Sequence, residues 1–300
     1  MKPPRTVVSG GTGFVGRFIV ERLLAEGHEI TVTGRHAPPD GFFSAPVRFV
    51  EDHLEPDEDV ASVFAGTDYF VHCAFDHVSG RYRGGEGSDP AGFRRKNLEG
   101  SLSRFRTAKT AGVKRIVFLS SRAVYGDQPP GAELTEDTPP RPNSLYGEVK
   151  LACEEGLSLL ADATFGAVSL RVTGVYGPAG AAREQKWGQI IDDYLAGRPV
   201  PSRAGTEVHG EDVAWAVLIA LTAPLQAVHE TFNVSDIVVD NADVLAIVQA
   251  SAGVRHALPP RADAAVLNAM STRRLRALGW RPGGRDLLEE TVREMGISGR

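Results

Sequence analysis

The β-branched run Arg5–Ser9 passes without a break into Gly10-Gly11-Thr12-Gly13-Phe14-Val15-Gly16. Two overlapping triplets, Gly10/Gly13/Gly16 and Gly11/Gly13/Gly16, follow this strand and open a helical pattern over Phe14–Glu26. Glycine permits the tight turn and lets the backbone approach a pyrophosphate. A helix beginning at Phe14 then aims its first amides, those of Phe14, Val15 and Gly16, at that anion. The expected unit is a strand–loop–helix that receives a dinucleotide at the carboxyl end of the first strand.

The same alternation continues. Strands are expected at Arg5–Ser9, Glu29–Thr33, Val47–Glu51, Tyr69–Cys73, Arg115–Ser120 and Ala167–Val172, most of them near-continuous Val, Ile or Phe runs of the kind buried on both faces. Helices are expected between them, at Phe93–Gly112 and Ser144–Ala161 as well as after the first strand. This is the pattern of an α/β fold with a doubly wound parallel sheet, the Rossmann architecture. Three Pro/Gly-rich loops, 37–46, 78–92 and 127–143, fall on the sheet edge where ligands bind in such folds. After Thr173 the alternation weakens, with helices expected at Trp187–Ala196, Asp212–Thr222, Ala242–Ala252 and Leu287–Met295. The chain therefore divides into a dinucleotide-binding domain, 1–173, and a smaller mixed substrate lobe, 174–300.

Three hundred residues, 42% apolar and 24% charged, suffice for a large core without a disulfide or metal staple. A net charge of −5 gives no overall basic field, which argues against nucleic acid and anionic membrane as partners. The longest apolar run, Val213–Leu221, is nine residues, against the ~20 needed to span a bilayer. The first residues carry no apolar signal core, and the two cysteines, Cys73 and Cys153, form no CxxC pair; a reducing, cytoplasmic setting is expected. His72 and His77 do not make a convincing ligand pair, so no metal is expected.

At the end of the second strand a dinucleotide fold selects its cofactor: a carboxylate there binds the ribose 2′-hydroxyl, an Arg a 2′-phosphate. The chain reads Thr33-Gly34-Arg35-His36, and Arg35 favours NADP, with NAD the second choice. A second signal is Tyr146-Gly147-Glu148-Val149-Lys150, which puts phenol and amine on one helix face. A neighbouring ammonium stabilises phenolate, so Tyr146 can serve as acid and base. A strand ending in Ser120-Ser121 lies 25 residues upstream and offers a hydroxyl to a reacting alcohol or carbonyl.

With GGTGFVG, these features resemble the extended short-chain dehydrogenase/reductase superfamily, in its NAD-dependent epimerase/dehydratase branch. The resemblance spans nearly the whole chain through Asp52, VHCA, Asn97-Leu98-Glu99-Gly100, LSSRAVYG, YGEVK, LRVTGVYGP, VHGEDVA, FNVS and LGWRP. It implies Ser121 as the residue orienting the substrate oxygen, with Ser120 as backup, and Tyr146 as acid/base. Lys150 would hold the ribose and tune Tyr146, and Asn97 would support Lys150 through water. Gly10, Gly13, Phe14, Val15, Gly16, Arg35, Asp52, His53, Ala74, Tyr146 and Lys150 would contact the cofactor, Asp52 at the adenine. It also implies a homodimer through the Phe93–Gly112 and Ser144–Ala161 helices.

The departures narrow the function. Dehydratases of this branch place an Asp-Glu pair after the Ser/Thr, where this chain has Arg122 and Ala123, so dehydration is not expected. Nucleotide-sugar enzymes carry an Asn where this chain has Gly174, and an Arg ahead of Val208-His209, where it has Gly205-Thr206-Glu207; Arg198 or Arg203 could substitute. The expected function is an NAD(P)-dependent epimerase or oxidoreductase acting on a secondary alcohol of a sugar or sugar derivative. Two alternatives stay open: a dehydrogenase or reductase of a small sugar acid, lactone or other carbonyl compound, for which Arg122, Arg81 and Arg83 are candidate anion contacts, and a non-catalytic cofactor sensor.

Overall fold

The computed structural model describes residues 2–77, 85–179 and 185–298; Arg81 and Arg83 lie outside the described residues. The Val/Ile/Phe runs form strands β1 (Arg5–Ser9), β2 (Glu29–Gly34), β3 (Arg48–Glu51), β4 (Tyr69–His72), β5 (Arg115–Ser121) and β6 (Gly166–Val172). All are parallel, in the order β3-β2-β1-β4-β5-β6. The chain leaves β1 for β2 and β3, then crosses back to β4, so the crevice of an open α/β sheet lies beyond the end of β1. Three more strands, β7 (Gly174–Tyr176), β8 (Ala204–His209) and β10 (Ile237–Asp240), make the second sheet, while β9 (His229–Val234) pairs with β6 in the first.

The helices are α1 (Phe14–Ala25), α2 (Pro90–Arg94), α3 (Ser101–Thr110), α4 (Leu145–Leu160), α5 (Gly188–Leu195), α6 (Gly210–Thr222), α7 (Asn241–Ala252), α8 (Arg273–Ala277) and α9 (Gly284–Ser298). Strand alternation sends neighbouring residues into opposite cores. Val8, Val71 and Val117 pack with Ile19 and Leu23 of α1 and Val213 and Val217 of α6. Val7, Phe70 and Ile116 pack on the other face with Phe105 of α3 and Val149 and Leu157 of α4. Among the described residues no helix is long and apolar enough to cross a membrane.

Two differences from the sequence reading matter. The expected helix Phe93–Gly112 is interrupted by a π-helical stretch, Arg95–Gly100, which re-aims Asn97. The chain also does not remain in the second lobe after residue 174: α6 lies on α1 in the first core, and β9 pairs in register with β6 from Ala167↔His229 to Val172↔Val234.

His72 is fully buried where β4 meets α3, its Nδ1 2.7 Å from Ser9 Oγ and its Nε2 2.9 Å from Ser101 Oγ. Burial, helped by the charge of Lys150, brings its pKa down to about 3. The unfolded chain takes up this proton near pH 6.5 and the folded one only near 3, so stability is lost as pH falls through that window, by up to about 4–5 kcal/mol. His72→Gln is expected to flatten the pH 4–6 slope of the unfolding free energy by about one proton, or about 1.4 kcal/mol per pH unit. Denaturant unfolding at stepped pH checks this, and an unchanged slope would contradict it.

Candidate active site

Beyond β1 the glycine turn is packed backbone against backbone. Gly10 has φ +68°, and a Cβ on it would lie 2.8 Å from the Ala74 backbone. A Cβ on Gly16 would run into the Gly10 carbonyl oxygen and come 2.8 Å from Gly11 Cα. The Gly13 amide donates to Gly10 O at 2.8 Å, and no side chain caps α1, so the amide end at Phe14, Val15 and Gly16 faces the crevice without a competing acceptor from its cap. A cradle this close, uncapped and free of acidic residues in its first turn, fits a pyrophosphate.

Next to this cradle, the loop after β4 runs through Ala74 and Phe75. Asn97 clamps it: its Oδ1 accepts from the Asp76 amide at 2.6 Å, and its Nδ2 donates to Asp76 O at 2.7 Å and to Phe93 O at 3.0 Å. The side chain of Asn97 is therefore taken up by the backbones of Asp76 and Phe93. Its main-chain carbonyl accepts from Ser101 Oγ at 2.6 Å and faces Cys153 Sγ at 3.5 Å, three residues along α4 from Lys150.

Ser144 caps the start of α4, its Oγ accepting from the Gly147 amide at 3.2 Å. A Cβ on Gly147 would lie 2.6 Å from Ala123 O, so glycine here lets α4 press onto the turn Arg122–Tyr125 that follows Ser121. That contact brings the first turn of α4, with Tyr146, beside the end of β5. Lys150, one turn on, is buried and donates to Leu119 O at 2.7 Å. Burial lowers its pKa to about 8. Phe75 packs between the two: its ring meets Tyr146 edge-on at 5.1 Å and takes the Lys150 ammonium over its face at 4.4 Å.

Alternation along β5 separates the two serines. Ser121, at the end of the strand and only partly buried, accepts from the Ala123 amide at 3.1 Å through its Oγ. Ser120 is buried against α4 and donates to Glu154, which pairs with Arg171 at 2.8 Å, so its hydroxyl is taken up by that ion-pair network.

The remaining candidates are held by protein partners. Asp52 is buried against Arg104 and accepts from the Leu54 amide at 3.0 Å. Burial pushes its carboxyl up, but the Arg104 guanidinium outweighs this and holds it below the ordinary carboxylate value. His53 stands exposed, its Nε2 2.8 Å from Glu51. Arg35 reaches across the end of β1 to Asp76, 3.0 Å away, with its side chain 60% exposed. Arg122 donates to Asn268 O at 3.2 Å and so ties the β5 turn to the second lobe. Among the described residues no cluster of His, Cys, Asp or Glu could hold a metal ion.

The sequence reading passed over Phe75, which follows the quoted Val71–Ala74 by one residue; an aromatic at the end of a central strand was the available signal. It also passed over Lys186, which forms an ion pair with Glu207. Nothing local marks that lysine, because its partner lies 21 residues on, in β8.

The model of the NAD dependent epimerase/dehydratase family matches residues 6–235. UDP-glucose 4-epimerase of Corynebacterium glutamicum is 30% identical, with 94% of this chain and 92% of that protein covered. The human decarboxylating sterol-4-alpha-carboxylate 3-dehydrogenase is 30% identical over 58% of this chain and 45% of its own. Among solved structures, the Thermus thermophilus UDP-glucose 4-epimerase in complex with NAD superposes with a TM-score of 0.80 at 28% identity, covering 99% of this chain and 100% of that one. The chain belongs to the NAD-dependent epimerase/dehydratase family of short-chain dehydrogenase/reductase-type enzymes.

Proposed function

We propose that this enzyme oxidises and reduces a secondary alcohol of a sugar or sugar derivative, as an epimerase or oxidoreductase, with Tyr146 as acid and base. The bound nicotinamide dinucleotide supplies the hydride acceptor and donor. The observation that supports the reading is the packing of Phe75, next in the chain to the Ala74 that touches Gly10, against both Tyr146 and Lys150 of α4. Tyr146 takes the hydroxyl proton in oxidation and returns it in reduction. Lys150, fixed on Leu119 O, favours phenolate by its charge and keeps further N–H groups for the ribose. Ser121 orients the substrate oxygen by donating its own proton. Asn97 keeps the Asp76 backbone, and with it Phe75, against the phenol. A ketone that stays bound and is reduced on its opposite face gives epimerisation; one that leaves gives net redox. Relatives carry both names.

A panel of free sugars, sugar acids and nucleotide sugars tests this by nicotinamide absorbance and product stereochemistry. Turnover of a sugar-type alcohol is expected, and no change with any of them would overturn the reading.

For the cofactor we propose NADP, with Arg35 as the 2′-phosphate contact. The turn after β2 carries no carboxylate, and the half-exposed Arg35–Asp76 pair can yield to a dianion. Arg35→Ala is expected to weaken NADP binding by about 1–3 kcal/mol and leave NAD unchanged. Titration of both cofactors by fluorescence or calorimetry checks this, and an equal loss for both would refute the phosphate contact. Cys73 and Cys153 are both free, which supports a reducing compartment, the cytoplasm. The exposed Leu159 on α4 supports a homodimer through α3 and α4.

A further inference from the structure

Two consecutive residues of β5 hold one turn of α4. Leu119 O takes the Lys150 ammonium at 2.7 Å. Ser120, next along the strand, donates its hydroxyl to Glu154, four residues and about 6 Å further along the helix. The Glu154 carboxylate also accepts from Arg171, from Nη2 at 2.8 Å and from Nε at 3.2 Å. Arg171 is the register partner of Ser120 on β6, so this carboxylate ties the helix to two adjacent strands at one level of the sheet. The guanidinium lies 4.8 Å over the ring of Tyr125, in the turn that follows Ser121. Ser120, Lys150, Glu154 and Arg171 are each 5% exposed or less.

A buried ion pair adds little net stability, because desolvation of both charges offsets their attraction, and apolar residues of similar volume would fill the same space. What apolar packing lacks is direction. The bonds from Ser120 and Arg171 fix the carboxylate, and with it the height of α4 on the sheet, in the turn that carries Lys150. The Lys150 Nζ stands 5.9 Å from the Tyr146 ring centroid and depends on that height for its reach to Leu119 O. The pair is neutral as a whole, so it acts by placement. Cys73 of the loop after β4 and Cys153 of α4, the thiols beside Lys150, are pushed up to about 12 by burial, and His72 of β4 is brought down to about 3. His77, in the field of Lys150, and His229 of β9, in the fields of Glu154 and Arg171, are both lowered by burial. We propose that Glu154 is a positioning residue: held by Ser120 and Arg171, it sets the height of α4 on β5 at which the Lys150 ammonium reaches both Leu119 O and Tyr146. This role rests on the Tyr146–Lys150 reading above and extends it to the groups behind them.

The test reads the Tyr146 phenol directly and needs no substrate. Ultraviolet titration of each protein against its own Tyr146→Phe counterpart isolates this phenol among the six tyrosines. Lys150→Met is expected to raise the ionisation midpoint by about one pH unit or more, which is about tenfold less phenolate at a given pH. Glu154→Leu combined with Arg171→Met removes both charges together and is expected to unfold at the denaturant concentration of the parent or higher. The same double variant is expected to raise the Tyr146 midpoint at least half as far, about threefold less phenolate, because Lys150 is no longer held at its height. Ser120→Ala, which frees one side of the carboxylate, is expected to move it in the same direction by about twofold. A midpoint unmoved in the folded double variant, where Lys150→Met does move it, overturns the proposal and leaves the Tyr146–Lys150 reading standing. A midpoint unmoved by Lys150→Met overturns both. If the double variant does not fold, Ser120→Ala decides: an upward shift supports the placement, and no shift overturns it.

Discussion

Tyr146→Phe is expected to cut turnover by about a thousandfold or more while leaving dinucleotide affinity within about twofold. The substitution removes one oxygen and nothing else. The ring keeps its edge contact with Phe75 at 5.1 Å, and Lys150 keeps its bond to Leu119 O and its place over Phe75. Only the group proposed to exchange a proton with the substrate is lost, so kcat and kcat/KM should fall together while the cofactor still binds. Steady-state kinetics with a cofactor titration on the same preparation checks both halves. Turnover within about tenfold of the parent would remove Tyr146 from the chemistry.

Arg104→Leu is expected to destabilise the fold by about 3–5 kcal/mol. Arg104 is 1% exposed and is caught between Asp52 and Glu58, with Glu55 O as a further acceptor. Leucine fills much of the space but leaves the buried Asp52 carboxylate without its counter-charge. The sign with pH follows. Arg104 holds the Asp52 carboxyl below its ordinary value, so its contribution is present above about pH 4 and lost as pH falls through the folded value. The variant and parent curves should therefore converge in acid. Denaturant unfolding at pH 7 and at steps below pH 4 measures this, and adding Asp52→Leu should recover part of the loss at pH 7. A cost under about 1 kcal/mol at pH 7 would mean the ion pair is not what closes this corner.

How much of this was legible depended on whether the signal was local. Arg5–Ser9 is a strand at the expected bounds, and α1, α4 and α7 begin within a residue of the expected positions, because each carries its own period and punctuation. The glycine cradle, Tyr146, Lys150 and Ser121 could be named for the same reason. The four later strands could not. β8 and β9, AGTEVH and HETFNV, mix polar and apolar residues without a clean alternation, and they become strands only because β7, β10 and β6 offer them edges. Partners were invisible as well. Asp52 and Arg104 are 52 residues apart, and Lys186 and Glu207 21, so the sequence marks each charge but not its mate. Conversely, VHGEDVA and LGWRP, quoted separately, prove to be one joint: the Trp280 indole donates to Asp212 O at 2.9 Å, and the Gly283 amide to the Asp212 carboxylate at 3.1 Å.

The return of β9 to the edge of β6 bears on how the molecule is assembled. A ribosome that has released only the first 173 residues presents β6 as a bare, apolar rim with its amides and carbonyls unmatched, the kind of border that recruits stray strands. The nascent sheet must wait for some sixty more residues before that rim is sealed, which makes its closure a late, long-range event in folding.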